Sequence, residues 1–208
     1  MRASRSIFLR AAILTAIVAV AAYGRAQASA LVVPDNYASI QAAIDAASLG
    51  DTIIVRSGTY FENLTLNKPV ILTAESYDPG DPTHNPTVID GSPTSPLATI
   101  TVSAGTSAVS TIRGFVIRNG NDGISVRSDV VIEYNYFIAA GDQIDYGSDS
   151  GGMIRNNVFF ASGDDGIDLD NMNRSLTIEN NRIMYSGDDG IEIRLQDSSA
   201  PTQPVTIT

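Results

Sequence analysis

Short alternations of apolar and polar residues carry most of the pattern in this chain. They recur at a nearly fixed spacing. The run Ile154-Arg155-Asn156-Asn157-Val158-Phe159-Phe160 leads through Ser162-Gly163-Asp164-Asp165-Gly166 to Ile167-Asp168-Leu169. The run Ile178-Glu179-Asn180-Asn181-Arg182-Ile183-Met184 leads through Ser186-Gly187-Asp188-Asp189-Gly190 to Ile191-Glu192-Ile193, 24 residues later. Two weaker copies precede them, one from Ile112 to Asp122-Gly123-Ile124 and one from Ile132 to Asp142-Gln143-Ile144. The leading isoleucines are 20, 22 and 24 residues apart (112, 132, 154, 178). Period-2 alternation rich in β-branched residues predicts strands. A fixed period predicts stacked units that bury their apolar faces only against one another. A helix pair per repeat needs about 34 residues, more than this spacing allows.

Each copy holds about three strand-like runs separated by Gly, Asn, Asp or Ser. That count fits one turn of a parallel β-helix, with three strands and three corners in about 22 residues. The coils are expected over 52–208. Thr52–Val55, Asn63–Leu66 and Val70–Thr73 are the first strands, with Val88–Asp90 and Ile100–Val102 following. One helix is expected, from Ser39 to Ser48 within a cap spanning 35–50. Ser39 suits the N-cap, Ile40, Ala43, Ile44 and Ala47 share a face, and Gly50 suits the C′ position. A stack of strands needs its first coil covered, and this helix is read as that cover.

Glu75 to Pro86 is a polar corner loop with Pro79-Gly80 and Pro82. It holds His84, the only histidine, which in a turn-rich setting is read as solvated, not catalytic. Gln196 to Pro204 is a second corner insertion. Val205-Thr206-Ile207 then restarts the repeat 29 residues after Leu176-Thr177-Ile178, and the chain is expected to stop within its solenoid without a cap.

Residues 1–30 stand apart. Arg2, Arg5 and Arg10 flank an apolar run from Ala11 to Ala22, and Ala26-Gln27-Ala28 and Ala28-Ser29-Ala30 are small-residue cleavage sites. Together they predict a secretory signal peptide, hence a secreted, extracellular or periplasmic protein with its domain at 31–208. The competing reading is a membrane anchor, against which the run is short and alanine-rich beside the usual ~20 residues. Removing the segment leaves 9 of the 13 basic residues against all 23 acids, a net charge of −14. Such a chain repels nucleic acid and anionic membrane, and both are excluded as partners. It also repels an acidic polymer unless a cation bridges the two. With no cysteine, the fold rests on its ladders and core alone.

Equivalent residues of successive coils stand about 4.8 Å apart in a parallel stack. Aligning the repeats stacks Ile124, Ile144, Ile167 and Ile191 inside, with Val126, Tyr146, Leu169 and Ile193 at the next inward position. Asp122, Asp142, Asp165 and Asp189 then share a register two residues earlier. Ser125, Asp145, Asp168 and Glu192 point outward one residue later. The last two coils therefore gather Asp164, Asp165, Asp168, Asp188, Asp189 and Glu192 on one patch, the candidate metal site. Each adjacent pair of carboxylates costs about 1 kcal/mol in water and several times that at lower dielectric. Either protons remain bound or a hard cation such as Ca²⁺ sits there. The alternative is that Asp-Gly is turn chemistry repeated because the corner repeats. Asn135, Asn157 and Asn181 also share a register, which suits a structural hydrogen-bonded stack.

With these residues in view, the chain resembles the right-handed parallel β-helix superfamily of pectin-acting enzymes. The stretch from Ile40 to Ala47, with Gly50-Asp51-Thr52-Ile53-Ile54-Val55 and Gly58-Thr59-Tyr60-Phe61-Glu62-Asn63, is similar to the start of pectinesterases and many other β-helix proteins. Asp-Asp-Gly-Ile-Asp at 164–168 and Asp-Asp-Gly-Ile-Glu at 188–192 look like the calcium motif of one pectate lyase family. That resemblance implies Ca²⁺ held by Asp188, Asp189 and Glu192 with Asp164 from the preceding coil. It implies β-elimination on an acidic polysaccharide such as pectate by a neutral Lys or Arg base, which the family carries further along the chain. A second resemblance joins Asn121-Asp122-Gly123-Ile124 and Gly163-Asp164-Asp165-Gly166-Ile167 to the acidic motifs of polygalacturonase-like hydrolases, whose Gly-His-Gly and Arg-x-Lys motifs are missing here. The third reading is a non-catalytic extracellular module for binding or spacing, since fold does not give function.

Overall fold

The computed structural model describes residues 30–92, 95–103, 109–170, 174–194 and 204–208. The expected signal segment up to residue 29, and nearly all of the insertion at 196–204, lie outside the described residues. Three parallel sheets run along one axis. The first has eight strands, Ala30–Val33, Thr52–Val55, Ile71–Ala74, Ser110–Arg113, Asp129–Glu133, Gly151–Arg155, Leu176–Glu179 and Val205–Ile207. The second has six, from Gly58–Phe61 through Tyr136–Ile138 and Val158–Phe160 to Arg182–Met184. The third also has six, from Leu64–Leu66 through Ile144–Tyr146 and Ile167–Asp170 to Ile191–Arg194. The chain visits the sheets in that order, once per coil.

The register is the one the repeats dictate. Ile124 pairs with Ile144, Ile144 with Ile167, and Ile167 with Ile191. The first three have no exposed surface. Ile191 is half-buried because its strand forms the edge of the third sheet. For the same reason Ile193, expected inside, is 45% exposed. The core is one continuous column of Ile, Leu, Val and Phe, in which the rings of Phe137 and Phe159 stack 4.8 Å apart.

Two corners bend through residues in the left-handed region. Tyr134, Asn156 and Asn180 do so between the first and second sheets, and Asn119, Ala139, Ala161 and Tyr185 between the second and third. Asparagine tolerates this conformation better than most residues. The first corner is sealed by the expected asparagine stack. Asn157 Oδ1 accepts from the Asn135 N–H at 2.9 Å, and Asn157 Nδ2 donates to the Ile132 carbonyl at 2.9 Å. Asn181 repeats both bonds one coil on, to the Asn157 N–H and the Ile154 carbonyl. Buried polar groups need such partners, so this stack is structural.

The helix is Ile40–Ala46, shorter than expected at its C-terminal end. Ser39 caps it by accepting from the Ala42 N–H at 3.2 Å, and Ile40, Ala43 and Ile44 are buried against the first coil. Ala47, not Gly50, closes it. Gly50 takes a positive φ of 84° in the following turn. Glu62 adds a cap that the sequence did not announce, accepting the Ile40 and Gln41 N–H groups at 2.9 and 3.0 Å. Two strands also went unforeseen. Ala30–Val33 pairs with Thr52–Val55, so the first sheet begins before the helix, at the very residue assigned as the end of the signal segment. Gly58–Phe61 opens the second sheet with no buried residue to mark it. Among the described residues no helix is long and apolar enough to cross a membrane.

Candidate metal centre

The acids gather at the corner between the second and third sheets. Stacked coils approach closely there. A Cβ on Gly166 would lie 2.6 Å from the Gly190 carbonyl oxygen, so the Asp-Asp-Gly spacing is required by backbone contact. That close stacking brings successive aspartates into one column. Asp142 Oδ1 accepts the Asp165 N–H at 3.0 Å, and Asp165 Oδ1 accepts the Asp189 N–H at 2.8 Å. Asp142 and Asp165 therefore hold the corner together, each spending one oxygen on the backbone of the next coil.

Carboxylate oxygens of this corner form two triads that share Asp165. One carboxylate oxygen from each of Asp164, Asp165 and Asp188 lies within 4.8 Å of the others, as does one from each of Asp165, Asp168 and Glu192. Donors at 2.3–2.6 Å from one Ca²⁺ stand at most about 5 Å apart, so both triads meet the distance condition. Five of the six expected ligands are thus brought together, and Asp189 belongs to neither triad.

The triads differ in their surroundings. Asp164 and Asp188 are exposed over a buried Asp165, and no arginine pairs with any of the three among the described residues. In the other triad Asp168, expected to point outward, is only 4% exposed. Arg194 closes over it, with Nη2 2.8 Å from Asp168 Oδ2 and 2.5 Å from Glu192 Oε2, and Nε 3.4 Å from Asp170 Oδ1. Asp168 Oδ1 is buried without a hydrogen-bond partner. An all-oxygen donor set with an orphaned buried oxygen fits a hard cation. The outer triad is the more open seat, since Arg194 already neutralises much of the inner one.

The charge balance shows in the proton affinities. Burial pushes Asp168 up to about 7, Asp170 adds to the rise, and Arg194 works against it. Burial pushes Asp122 up to about 6, helped by the charges of Asp145 and Asp142. Asp142 is raised by burial as well, partly offset by the bond from the Asp165 N–H. Glu192 is raised by burial and by its hydrogen bond to Asp165, with Arg194 opposing. For an acid, a folded-state pKa above the unfolded value of 3.8 means that the fold prefers the protonated form. That preference is fully present below pH 4 and is lost as pH rises through about 6 and 7. Asp35, Asp81 and Asp90 are shifted down instead and act only on the acid side of that window. In EDTA the thermal midpoint is therefore expected to fall between pH 5 and pH 8. A flat or rising midpoint would show that these carboxyls ionise without cost.

Asp170 escaped the sequence reading of the site, as did the pairing of Arg194 with Asp168 and Asp170. Their signal was present, since they pair in register across the same 24-residue offset that aligns the acids. His84 lies at the surface in the short 3₁₀ turn Pro82–His84, 3.0 Å from Asp81 Oδ2, as expected of a solvated loop histidine.

The family model described as a right handed beta helix region matches residues 95–206, more than half of the 208-residue chain. The chain belongs to the right-handed β-helix family. No curated protein and no solved structure matches it. The family match covers the coils that carry both triads and the asparagine stack. It shows the fold and leaves the activity to the chemistry of the corner.

Proposed function

We propose that this β-helix protein is secreted and binds an acidic polysaccharide of the pectate type through Ca²⁺ seated at the corner of Asp164, Asp165 and Asp188. The observation that carries the reading is the convergence of three carboxylate oxygens within 4.8 Å with which, among the described residues, no arginine or lysine pairs. A net charge of −14 on the chain without residues 1–30 (9 bases against 23 acids) repels a polyuronate, and a cation held by these acids reverses the local sign. Bound there, the ion supplies a bridge to a uronate carboxylate and acidifies the neighbouring carbon-bound proton, which is the activation that β-elimination needs.

The residues present divide that work unevenly. Asp164 and Asp188 present open oxygens, while Asp165 is fixed by its bond to the Asp189 N–H. Arg194 does not serve as the base. Burial acts to lower its pKa, but Asp168, Asp170 and Glu192 outweigh that effect and hold it above its ordinary value. A guanidinium so held cannot accept a proton. Within either triad the carboxylate oxygens stand closer than the roughly 6.5–9.5 Å, with water between, that an inverting hydrolase needs, so the triads by themselves do not support that reaction. The test is calorimetric titration with oligogalacturonate in calcium and in EDTA. Affinity is expected to fall at least tenfold in EDTA and in the Asp164→Asn, Asp188→Asn double variant. Equal affinity under all three conditions would overturn the reading. Ultraviolet absorbance from an unsaturated uronate end would add catalysis to binding.

A further inference from the structure

A second feature lies at the opposite edge of the second sheet. The loop that leaves the strand Ile71–Ala74 does not project into solvent. It folds back over the corner between the first and second sheets. The rings of Tyr77 and Tyr134 meet at 5.6 Å, and Asn85 Nδ2 donates to the Tyr134 carbonyl at 2.9 Å. Asn85 Oδ1 in turn accepts the Asp78 N–H at 3.0 Å, so the loop is held as a wall. Between this wall and the later coils lies a cavity of about 320 Å³. Pro79, Asp81 and Pro82 line one side, and Asn156, Val158 and Arg182 the other. Val158 faces away from the core yet is only 5% exposed, so the cavity has an apolar floor. Its size sits at the low end of the ~300–1,000 Å³ range of ligand sites.

The charge in this cavity is unusual for the chain. Arg56, Arg113, Arg118, Arg127, Arg155, Arg174 and Arg194 all pair with carboxylates. Lys68 donates to the Asp45 and Ala47 carbonyls. Arg182 is exposed and, among the described residues, has neither an ion pair nor a side-chain hydrogen bond. Asp81, the one acid in the lining, is already engaged. Its Oδ1 accepts from the Thr83 N–H and hydroxyl, and its Oδ2 faces His84 Nδ1 at 3.0 Å. In a protein with 23 acids and 13 bases, a cation left without a partner beside a cavity marks a place for an anion from outside.

We infer that the cavity between the Pro79–Pro82 wall and Arg182 binds the carboxylate of a uronic acid residue independently of calcium. The guanidinium takes the carboxylate in its fork, while the proline rings and Val158 cover an apolar face of the sugar ring. Across the same sheet the exposed Tyr185 packs edge-on against Phe160 at 5.3 Å. This pair stands at the Asp188 end of the strand Arg182–Met184 and offers an aromatic face between the two sites. The sugar identity rests on the polysaccharide reading above; the anion site does not.

The experiment titrates the protein in EDTA with trigalacturonate, following the side-chain Nε–H resonance of Arg182 by NMR. Saturable binding is expected, with at least a tenfold loss for Arg182→Gln and for the methyl-esterified trimer. The Asp164→Asn, Asp188→Asn double variant is expected to bind as the unaltered protein does. Arg182→Lys keeps the charge without the fork, and is expected to weaken binding while leaving the thermal midpoint unchanged. Inorganic sulfate is the control for a non-specific anion. Sulfate binding as tightly as the trimer would overturn the inference, as would unchanged affinity in Arg182→Gln. Loss of EDTA-resistant binding in the aspartate variant would move the contact to the metal corner and overturn this site alone. Calcium-dependent binding with nothing left in EDTA would do the same, while leaving the calcium reading intact.

Discussion

Ile167→Asp is expected to abolish cooperative folding or to lower stability by about 3–5 kcal/mol, the cost of an unpaired charge in a buried site. Ile167 has no exposed surface and stands between Ile144 and Ile191 in the third sheet. A carboxylate there reaches neither water nor a cation without opening the coil. A domain holds only about 5–15 kcal/mol of stability, so a loss of this size is a large share. Ile191→Asp is the internal control. It keeps the same register at the sheet edge, is half-buried, and is expected to cost about 1–2 kcal/mol. Urea unfolding followed by circular dichroism measures both. Equal losses at the two positions would mean that the column is not the continuous core it forms here.

The same column explains why the architecture was legible in the sequence. A parallel stack repeats one environment, so a recurrent Ile-x-Ile or Ile-x-Leu at a nearly fixed offset reports register directly. Ile112, Ile132, Ile154 and Ile178 pair in order across the first sheet, as their spacing implies. Legibility fails where the environment does not repeat. Gly58–Phe61 buries none of its four residues, and Phe61 is 75% exposed, so no alternation marks it as a strand. Ala30–Val33 lies in the ladder beside Thr52–Val55, but its first residue also fits a cleavage motif, and local composition cannot separate the two uses.

The site was half legible for a related reason. Strand alternation points Asp168 outward, yet outward does not mean solvated when a long neighbour lies across it. Arg194 spans from Asp168 to Glu192 and buries the carboxylate. Alternation fixes the direction of a Cβ and says nothing of what a guanidinium two residues beyond Glu192 will cover. Asp189 failed differently. Its backbone N–H is spent on Asp165, and its side chain joins neither triad. The Arg182 cavity left no sequence signal, because its walls are a loop at 79–82 and segments of two later coils at 156–158 and 180–182, joined only by the stacking of coils.

Calcium is expected to raise the thermal midpoint, and the outer triad is expected to carry the effect. Asp164, Asp165 and Asp188 lie within mutual reach of one ion, and no described arginine neutralises them. A ligand that binds only the folded state adds RT ln(1 + [L]/Kd), about 2.7 kcal/mol at a hundredfold excess over Kd. For a domain of this size that corresponds to roughly 5–11 °C. The measurement compares thermal unfolding in calcium and in EDTA at pH 8, where Asp168 and Asp122 are ionised and repulsion at the corner is greatest. At pH 5 the shift is expected to shrink, because protons on Asp168 and Asp122 already relieve part of the repulsion at the corner that the ion would offset. Asp164→Asn with Asp188→Asn removes two exposed charges without touching the Asp165 bond to the Asp189 N–H, so the folded corner survives and only the ion's seat is lost. An unchanged midpoint on adding calcium to the unaltered chain would mean that the acids are solvated turns. An equal rise in the double variant would move the ion to the inner triad of Asp165, Asp168 and Glu192. Arg194→Gln would then be expected to enlarge the shift, because it removes the cation that competes for the same oxygens.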